Sequence, residues 1–207
     1  MNADAKTAQD DLAFLRSLIQ PRDEGQAPFG ESYLAGGLAY GLQLIGHWAN
    51  ATGRLPLSGP GQLLLGLGPT VVFLALLTWI IWRHRRPAAG GVTQRTVGVM
   101  FAVAGLSNLV LVAMLGTLAA REKSFTIWLI YPCVVFVLQG AAWLVMCSLR
   151  RRPWMAVVGI GWFVCAVAMS TQIGSANYML VAAAGMLGLM VVPGLVMLRL
   201  ARRTRAG

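Results

Sequence analysis

Five long stretches of the sequence contain no charged side chain, and their lengths most constrain how the chain can fold. These stretches are Ser32–Gly53, Leu55–Trp82, Thr96–Ala120, Ser124–Leu149 and Pro153–Leu198. An α-helix needs about 20 mostly apolar residues to cross a bilayer. The first four stretches each match one crossing, whereas the fifth, with 46 residues, is long enough for two.

The fifth stretch has a natural break at residues 171–177, where polar side chains surround Gly174. We therefore predict an all-α fold, an integral membrane bundle of six transmembrane helices preceded by a short amphipathic helix. Helices are expected because a segment inside a bilayer must satisfy its own backbone hydrogen bonds. The predicted spans are residues 33–51, 62–82, 96–119, 125–149, 154–173 and 176–198. The predicted domains are an acidic segment at 1–32, the transmembrane domain at 33–200 and a basic tail at 201–207.

Lysine and arginine residues concentrate on alternate sides of these spans, which predicts the orientation of the bundle. Fourteen of the seventeen basic residues fall in the N-terminal segment, the second and fourth loops and the C-terminal tail. The other three are Arg54, Arg121 and Lys123. Because basic loops stay in the cytoplasm, we expect a multi-pass protein of the cell inner membrane with both termini in the cytoplasm.

The net charge of +10 follows from this loop pattern. Only 12% of the residues are charged and 57% are hydrophobic, which excludes a soluble globular domain, where about 25% charged residues is usual. Basic residues at the ends of spans favour contact with an anionic inner leaflet. The expected partner is therefore the lipid bilayer, and no nucleic-acid partner is predicted.

The N-terminal segment has the opposite charge. It contains six of the seven acidic residues of the chain. Leu12, Leu15 and Ile19 share one face of a predicted helix that Pro21 ends. This helix either lies on the membrane or the inner end of the bundle, or it docks a cytoplasmic protein through residues 1–30.

Polar residues recur along one face of the first predicted span. The spacing of Tyr33, Tyr40, Gln43, His47 and Asn50 places them, with Gly36, in one stripe. Lipid would penalise such a face, so it is expected to point into the bundle. Two interpretations remain open, namely interhelical hydrogen bonding that fixes packing and a polar pocket or pathway.

Other features of the spans concern packing. Gly37 and Gly41 form a small-residue pair that favours close helix approach. Asn108 and Gln139 are expected to pair across the third and fourth spans, and Trp162 is expected to pack between helices. Pro69, Pro132 and Pro193 fall inside the second, fourth and sixth spans, where each removes a backbone hydrogen bond.

The chemistry of a catalytic site is missing from this pattern. No predicted span contains a carboxylate, and the two histidines, His47 and His84, are predicted at opposite ends of the bundle. We therefore predict no catalytic residues, no metal site and no cofactor, and a protein that is not an enzyme.

The N-terminal part of the chain resembles small bacterial inner-membrane proteins of the multi-pass type. The resemblance rests on the helix Asp11–Leu18, the glycine-rich residues Gly36–Gly41 and the pair His47-Trp48. That group implies no particular activity. The expected function is a regulatory, scaffolding or complex-accessory role in the membrane, and the alternative is a small-solute transporter or channel that uses the polar stripe.

Overall fold

The structure, a computed structural model, describes residues 26–84 and 92–206 and is 88% helical. Its helices are α1 (Gln26–Ala51), α2 (Gly59–Arg83), α3 (Val92–Arg121), α4 (Phe125–Arg150), α5 (Trp154–Ser170), α6 (Asn177–Met186) and α7 (Val192–Ala206). A π-helical turn, Leu187–Val191, joins α6 and α7 into one continuous C-terminal rod. The predicted all-α fold class is confirmed, since the described residues contain no strand.

Four of these helices are long and apolar enough to cross a membrane. They are Gly59–Arg83, Gly98–Arg121, Phe125–Arg150 and the rod at Asn177–Arg203. The α5 helix is apolar but has only 17 residues. The α1 helix is long enough but falls short in apolarity, because glycines and polar residues interrupt its apolar run.

The helix boundaries follow the charge pattern closely, with one informative exception. The α4 helix covers 125–150 against a predicted 125–149, and the predicted break near Gly174 lies in the turn between α5 and α6. In contrast, α1 begins at Gln26, seven residues before the predicted start. Proline is tolerated in the first helical turn, so Pro28 does not delay the helix. Glu31 does not end it either, because its carboxylate is partnered by His84.

The core is formed by α1, α4, α5 and the rod. Its fully buried large side chains include Phe136, Trp143 and Trp162. The prediction that Trp162 packs between helices is confirmed, because its side chain is fully buried and meets Phe136 edge to face at 4.6 Å between ring centroids.

Glycines allow the core helices to approach one another closely. An added Cβ at Gly194 would lie 3.0 Å from the Gly30 carbonyl oxygen, and one at Gly140 would lie 2.9 Å from that of Gly159. The predicted close approach at Gly37 and Gly41 is also confirmed. A Cβ at Gly37 would lie 2.7 Å from Met190 Cβ, so α1 lies directly on the π-helical turn.

The π-helical turn of the rod lies just before Pro193. A proline inside a helix lacks an N–H donor, and its ring clashes with the carbonyl of the preceding turn. Widening that turn relieves the clash while the rod continues. The expected disturbance at Pro193 thus takes the form of a π-helical turn beside α1.

The remaining two helices lie outside this core. The α2 helix packs on α1, and α3 packs on α4; within the described ranges neither has an extensive interface with any other helix. Only 6% of the membrane-length window of α2 and none of that of α3 is buried, against 28% for α4 and 33% for the rod. The molecule therefore combines a packed core with two outer helices that each have one neighbour.

Candidate functional site

The polar stripe of α1 divides into two groups of residues, and Tyr33 belongs to the packed group. Its hydroxyl donates a hydrogen bond to Gln139 Oε1 at 2.8 Å, and Trp143 Nε1 donates to the Tyr33 oxygen at 3.0 Å. Tyr33 is only 5% exposed and Trp143 is completely buried. These bonds join α1 to α4, so the Tyr33 phenol acts as a packing group.

Gln43 and Asn50 also use their polar atoms for internal contacts. Gln43 Nε2 donates to the Gly66 carbonyl at 2.8 Å, which joins α1 to α2. The Leu57 backbone N–H donates to Asn50 Oδ1 at 3.1 Å, which fixes the connection between the same two helices. Both side chains therefore hold α2 against α1.

Tyr40 and His47 form the second group. The Tyr40 ring packs against Phe73 of α2 at 5.4 Å between centroids, and Phe73 also fills the space left by Gly36. Neither the Tyr40 hydroxyl nor the His47 ring has a hydrogen-bond partner among the described residues, and both side chains are partly exposed. These two residues of the stripe keep unused hydrogen-bonding capacity.

The expected pairing of Asn108 with Gln139 is wrong. Tyr131 donates its hydroxyl hydrogen to Asn108 Oδ1 at 2.7 Å, while Gln139 accepts from Tyr33. The reason is axial position, because Gln139 lies two turns beyond Tyr131 on α4, about 12 Å further along the helix. At that height α4 turns its polar side chain toward α1 rather than α3.

Side-chain contacts join each outer helix to its neighbour. Phe73 of α2 contacts Tyr40 of α1, and Tyr131 of α4 donates its hydroxyl hydrogen to Asn108 of α3. Trp128 stacks on Tyr131 at 5.2 Å between centroids.

Sequence reasoning identified Tyr40 and Asn108 as polar residues in spans but missed Phe73 and the role of Trp128. An aromatic side chain in an apolar stretch carries no signal of its own, because it is as compatible with lipid as with a site. Only the contact of Phe73 with a residue of the stripe distinguishes it from the other apolar residues of α2.

One side-chain contact, which is an ion pair only when His84 is protonated, joins α1 and α2 at the end of the bundle that carries Arg83 and the Arg150–Arg152 loop. His84 Nε2 lies 3.2 Å from Glu31 Oε2, and about a quarter of each side chain is exposed. Glu31 was assigned to the segment before the first span, so its place inside α1 brings a carboxylate into the helix that carries the stripe. The contact fixes the start of α1 against the end of α2.

The predicted docking residues Leu12, Leu15 and Ile19 fall outside the described residues, as does most of the acidic segment. Among residues 26–84 and 92–206, no group of three or more histidine, cysteine, aspartate or glutamate side chains is placed to hold a metal ion.

Comparisons of the chain with protein families, curated proteins and solved structures found no match.

Proposed function

We propose that the chain is a non-enzymatic, multi-pass protein of the inner membrane with a regulatory, scaffolding or complex-accessory role. The observation that carries the proposal is the one-sided packing of α2 and α3, which have one helix neighbour each. Their remaining faces are apolar and open, with side chains such as Leu64, Leu67 and Leu109 at least 64% exposed. Faces of this kind suit contact with lipid or with the helices of a larger membrane assembly.

The topology that goes with this function has six crossings and both termini in the cytoplasm. Six helical segments follow one another along the chain, and α2, α4 and the rod each carry arginines at their C-terminal ends, which supports the proposal that these ends lie on one side of the membrane. The shortest, α5, has 17 residues and a length of about 26 Å, near the lower limit for a span. Cysteine accessibility mapping tests this topology at exposed loop positions such as Ser58, Glu122 and Ser175.

A partner is tested by purifying the full chain in mild detergent and identifying stoichiometric companions by native mass spectrometry. We expect deletion of residues 1–24 to remove a cytoplasmic companion while membrane insertion persists, because α1 begins only at Gln26. The triple variant Leu12→Ser, Leu15→Ser, Ile19→Ser is the matched control for the apolar face alone. The absence of any stoichiometric companion, or a companion retained by the deletion variant, would contradict the docking role.

A second function, movement of a small solute, is favoured by the unused hydrogen-bonding capacity of Tyr40 and His47. Liposome flux assays of a panel of small solutes test it. Gln43→Leu and His47→Leu are the natural variants, and His47→Leu is the sharper one, because Gln43 also holds α2 through the Gly66 carbonyl. Loss of flux in His47→Leu alone supports transport, whereas no flux for any solute in the wild type contradicts it.

A further inference from the structure

The outer face of α2 carries a row of side chains that ends in an arginine. Val72, Leu76, Trp79 and Arg83 follow one another at spacings of three and four residues, so they lie on one face of the helix. We call these four residues the α2 row. Its face is open, because Val72 is 55% and Trp79 is 49% exposed. Within the described ranges, only α1 has an extensive interface with α2.

The Arg83 guanidinium is held over the ring of Trp79. Its central carbon lies 5.3 Å from the ring centroid, at which distance the indole face attracts a cation. In the part of the chain that the structure describes, the carboxylates that contact basic side chains contact His84 and Arg121, and none contacts Arg83. The α2 row therefore ends in a positive charge that is positioned but not neutralised.

Hydrogen-bond donors surround this charge. Trp82, beside the row, is 65% exposed. The indole N–H groups of Trp79 and Trp82 and the guanidinium of Arg83 donate to no residue at 26–84 or 92–206. These groups are donors only. A ligand that suits them has a negative charge and several acceptor oxygens, as a phosphodiester does.

The position of the row along α2 fits the shape of a phospholipid. The helix has 25 residues and a length of about 37 Å, against about 30 Å for the hydrocarbon core of a bilayer. A crossing by α2 places its last turn, which contains Arg83, at the level of the headgroups. Val72 lies 11 residues before Arg83, about 16 Å along the helix, which is roughly the depth of one leaflet of acyl chains.

We propose that the α2 row binds one anionic phospholipid from the leaflet at the Arg83 end. The phosphate accepts hydrogen bonds from Arg83 and the two indole N–H groups, and an acyl chain lies on Leu76 and Val72. A zwitterionic phospholipid binds more weakly, because its cationic group offsets the charge of its phosphate. This proposal assigns one site rather than a general attraction to an anionic leaflet. It rests on the proposed crossing of the bilayer by α2 and not on the scaffolding role.

The test uses the full chain in liposomes of phosphatidylcholine that contain an increasing fraction of a lipid with brominated acyl chains. Bromine quenches the fluorescence of a tryptophan that it contacts. The signal of Trp79 and Trp82 is the difference between a protein and the same protein with Trp79→Phe and Trp82→Phe. We expect brominated phosphatidylglycerol to half-quench this signal at about a fivefold lower mole fraction than brominated phosphatidylcholine, as for one arginine near an anionic headgroup.

Arg83→Gln keeps both reporter tryptophans and should reduce this preference to less than about twofold, because it removes the charge that selects the headgroup. Arg54→Gln is the matched control. It removes the same charge from a guanidinium that lies 4.4 Å from the ring centroid of Trp48, in the connection before the other end of α2. We expect it to retain the wild-type preference. Thermal unfolding of each variant checks that the fold is retained.

Three results would overturn the site alone. They are equal half-quenching fractions for the two lipids in the wild type, an unchanged preference in Arg83→Gln, and an equal loss of preference in Arg54→Gln. Quenching of Trp79 and Trp82 by neither lipid would be a different failure. It would mean that this face of α2 does not meet acyl chains, which would overturn both the site and the proposed crossing.

Discussion

Two helices of the packed core, α4 and the rod, and the two outer helices are built from equally apolar sequence, yet they make different contacts. The α2 and α3 helices are as apolar as α4 and the rod. What differs is where their glycines lie. Core glycines such as Gly37 and Gly194 face another helix at about 3 Å, whereas Gly66, Gly98 and Gly105 of the outer helices meet nothing within 4 Å. Apolarity predicts which segments suit a membrane, and the placement of small residues decides which of them pack.

The largest effect is expected at Gly37, because an added Cβ there would lie 2.7 Å from Met190 Cβ and 3.0 Å from the Val191 backbone nitrogen. Gly37→Leu should lower the free energy of unfolding by about 3 kcal/mol, the upper range for overpacking a core. Denaturant titration in detergent, followed by circular dichroism, measures it.

Gly105→Leu on α3 is the control for that substitution, because a side chain at Gly105 meets open space. Its free energy of unfolding should change by no more than about 0.5 kcal/mol, as for other surface positions. Equal destabilisation by the two variants would break the contrast between core and outer helices.

A smaller effect is expected from Tyr33→Phe, which removes the hydroxyl that joins Gln139 and Trp143. The fully buried Trp143 and the partly exposed Gln139 then each lose a hydrogen-bond partner, and the free energy of unfolding should fall by about 2 kcal/mol. Tyr131→Phe makes the same change at a partly exposed site and should cost about 1 kcal/mol or less. The reverse order in an unfolding titration would show that the Tyr131–Asn108 bond between α4 and α3 contributes more to stability than the Tyr33 bonds between α1 and α4.

The smallest effect is expected at the ion pair between Glu31 and His84. Both side chains are partly exposed, so solvent screens the pair and Glu31→Gln should cost about 0.5 kcal/mol or less. The cost should shrink further as salt is added. Thermal unfolding at low and high salt checks this, and a large cost that salt does not change would mean that Glu31 has a role inside the bundle beyond the ion pair.

Much of the helix pattern was predictable from charge spacing alone. The limits of α4 agree with the prediction within one residue, and the turn at Gly174 lies where polar residues interrupt the last uncharged stretch. The start of α1 was not predictable in this way, because charge spacing treats Glu31 as a boundary. The carboxylate is tolerated in the helix through His84, a residue 53 positions away in the sequence.

The candidate site was predictable only in part. A seven-residue repeat reveals that Tyr33, Tyr40 and Gln43 share a helix face, but it does not show which of them find partners. Tyr33 is satisfied by α4 and Gln43 by α2, while Tyr40 lies between those two contacts without a hydrogen bond. That division depends on how the helices cross, which a pattern within one helix does not contain.

The π-helical turn at Leu187–Val191 has a consequence for the register of the rod. Such a turn holds one residue more than the α-helical turn it replaces, so every side chain after it is rotated by about 100° relative to an unbroken α-helix. Met190, inside the turn, and Gly194, after it, both face α1. Removing a single residue from the turn would direct Gly194 away from Gly30 and swing Arg199 and Arg202 around the rod by the same angle. The π-helical turn therefore sets both how the rod packs on α1 and the direction in which its terminal arginines point.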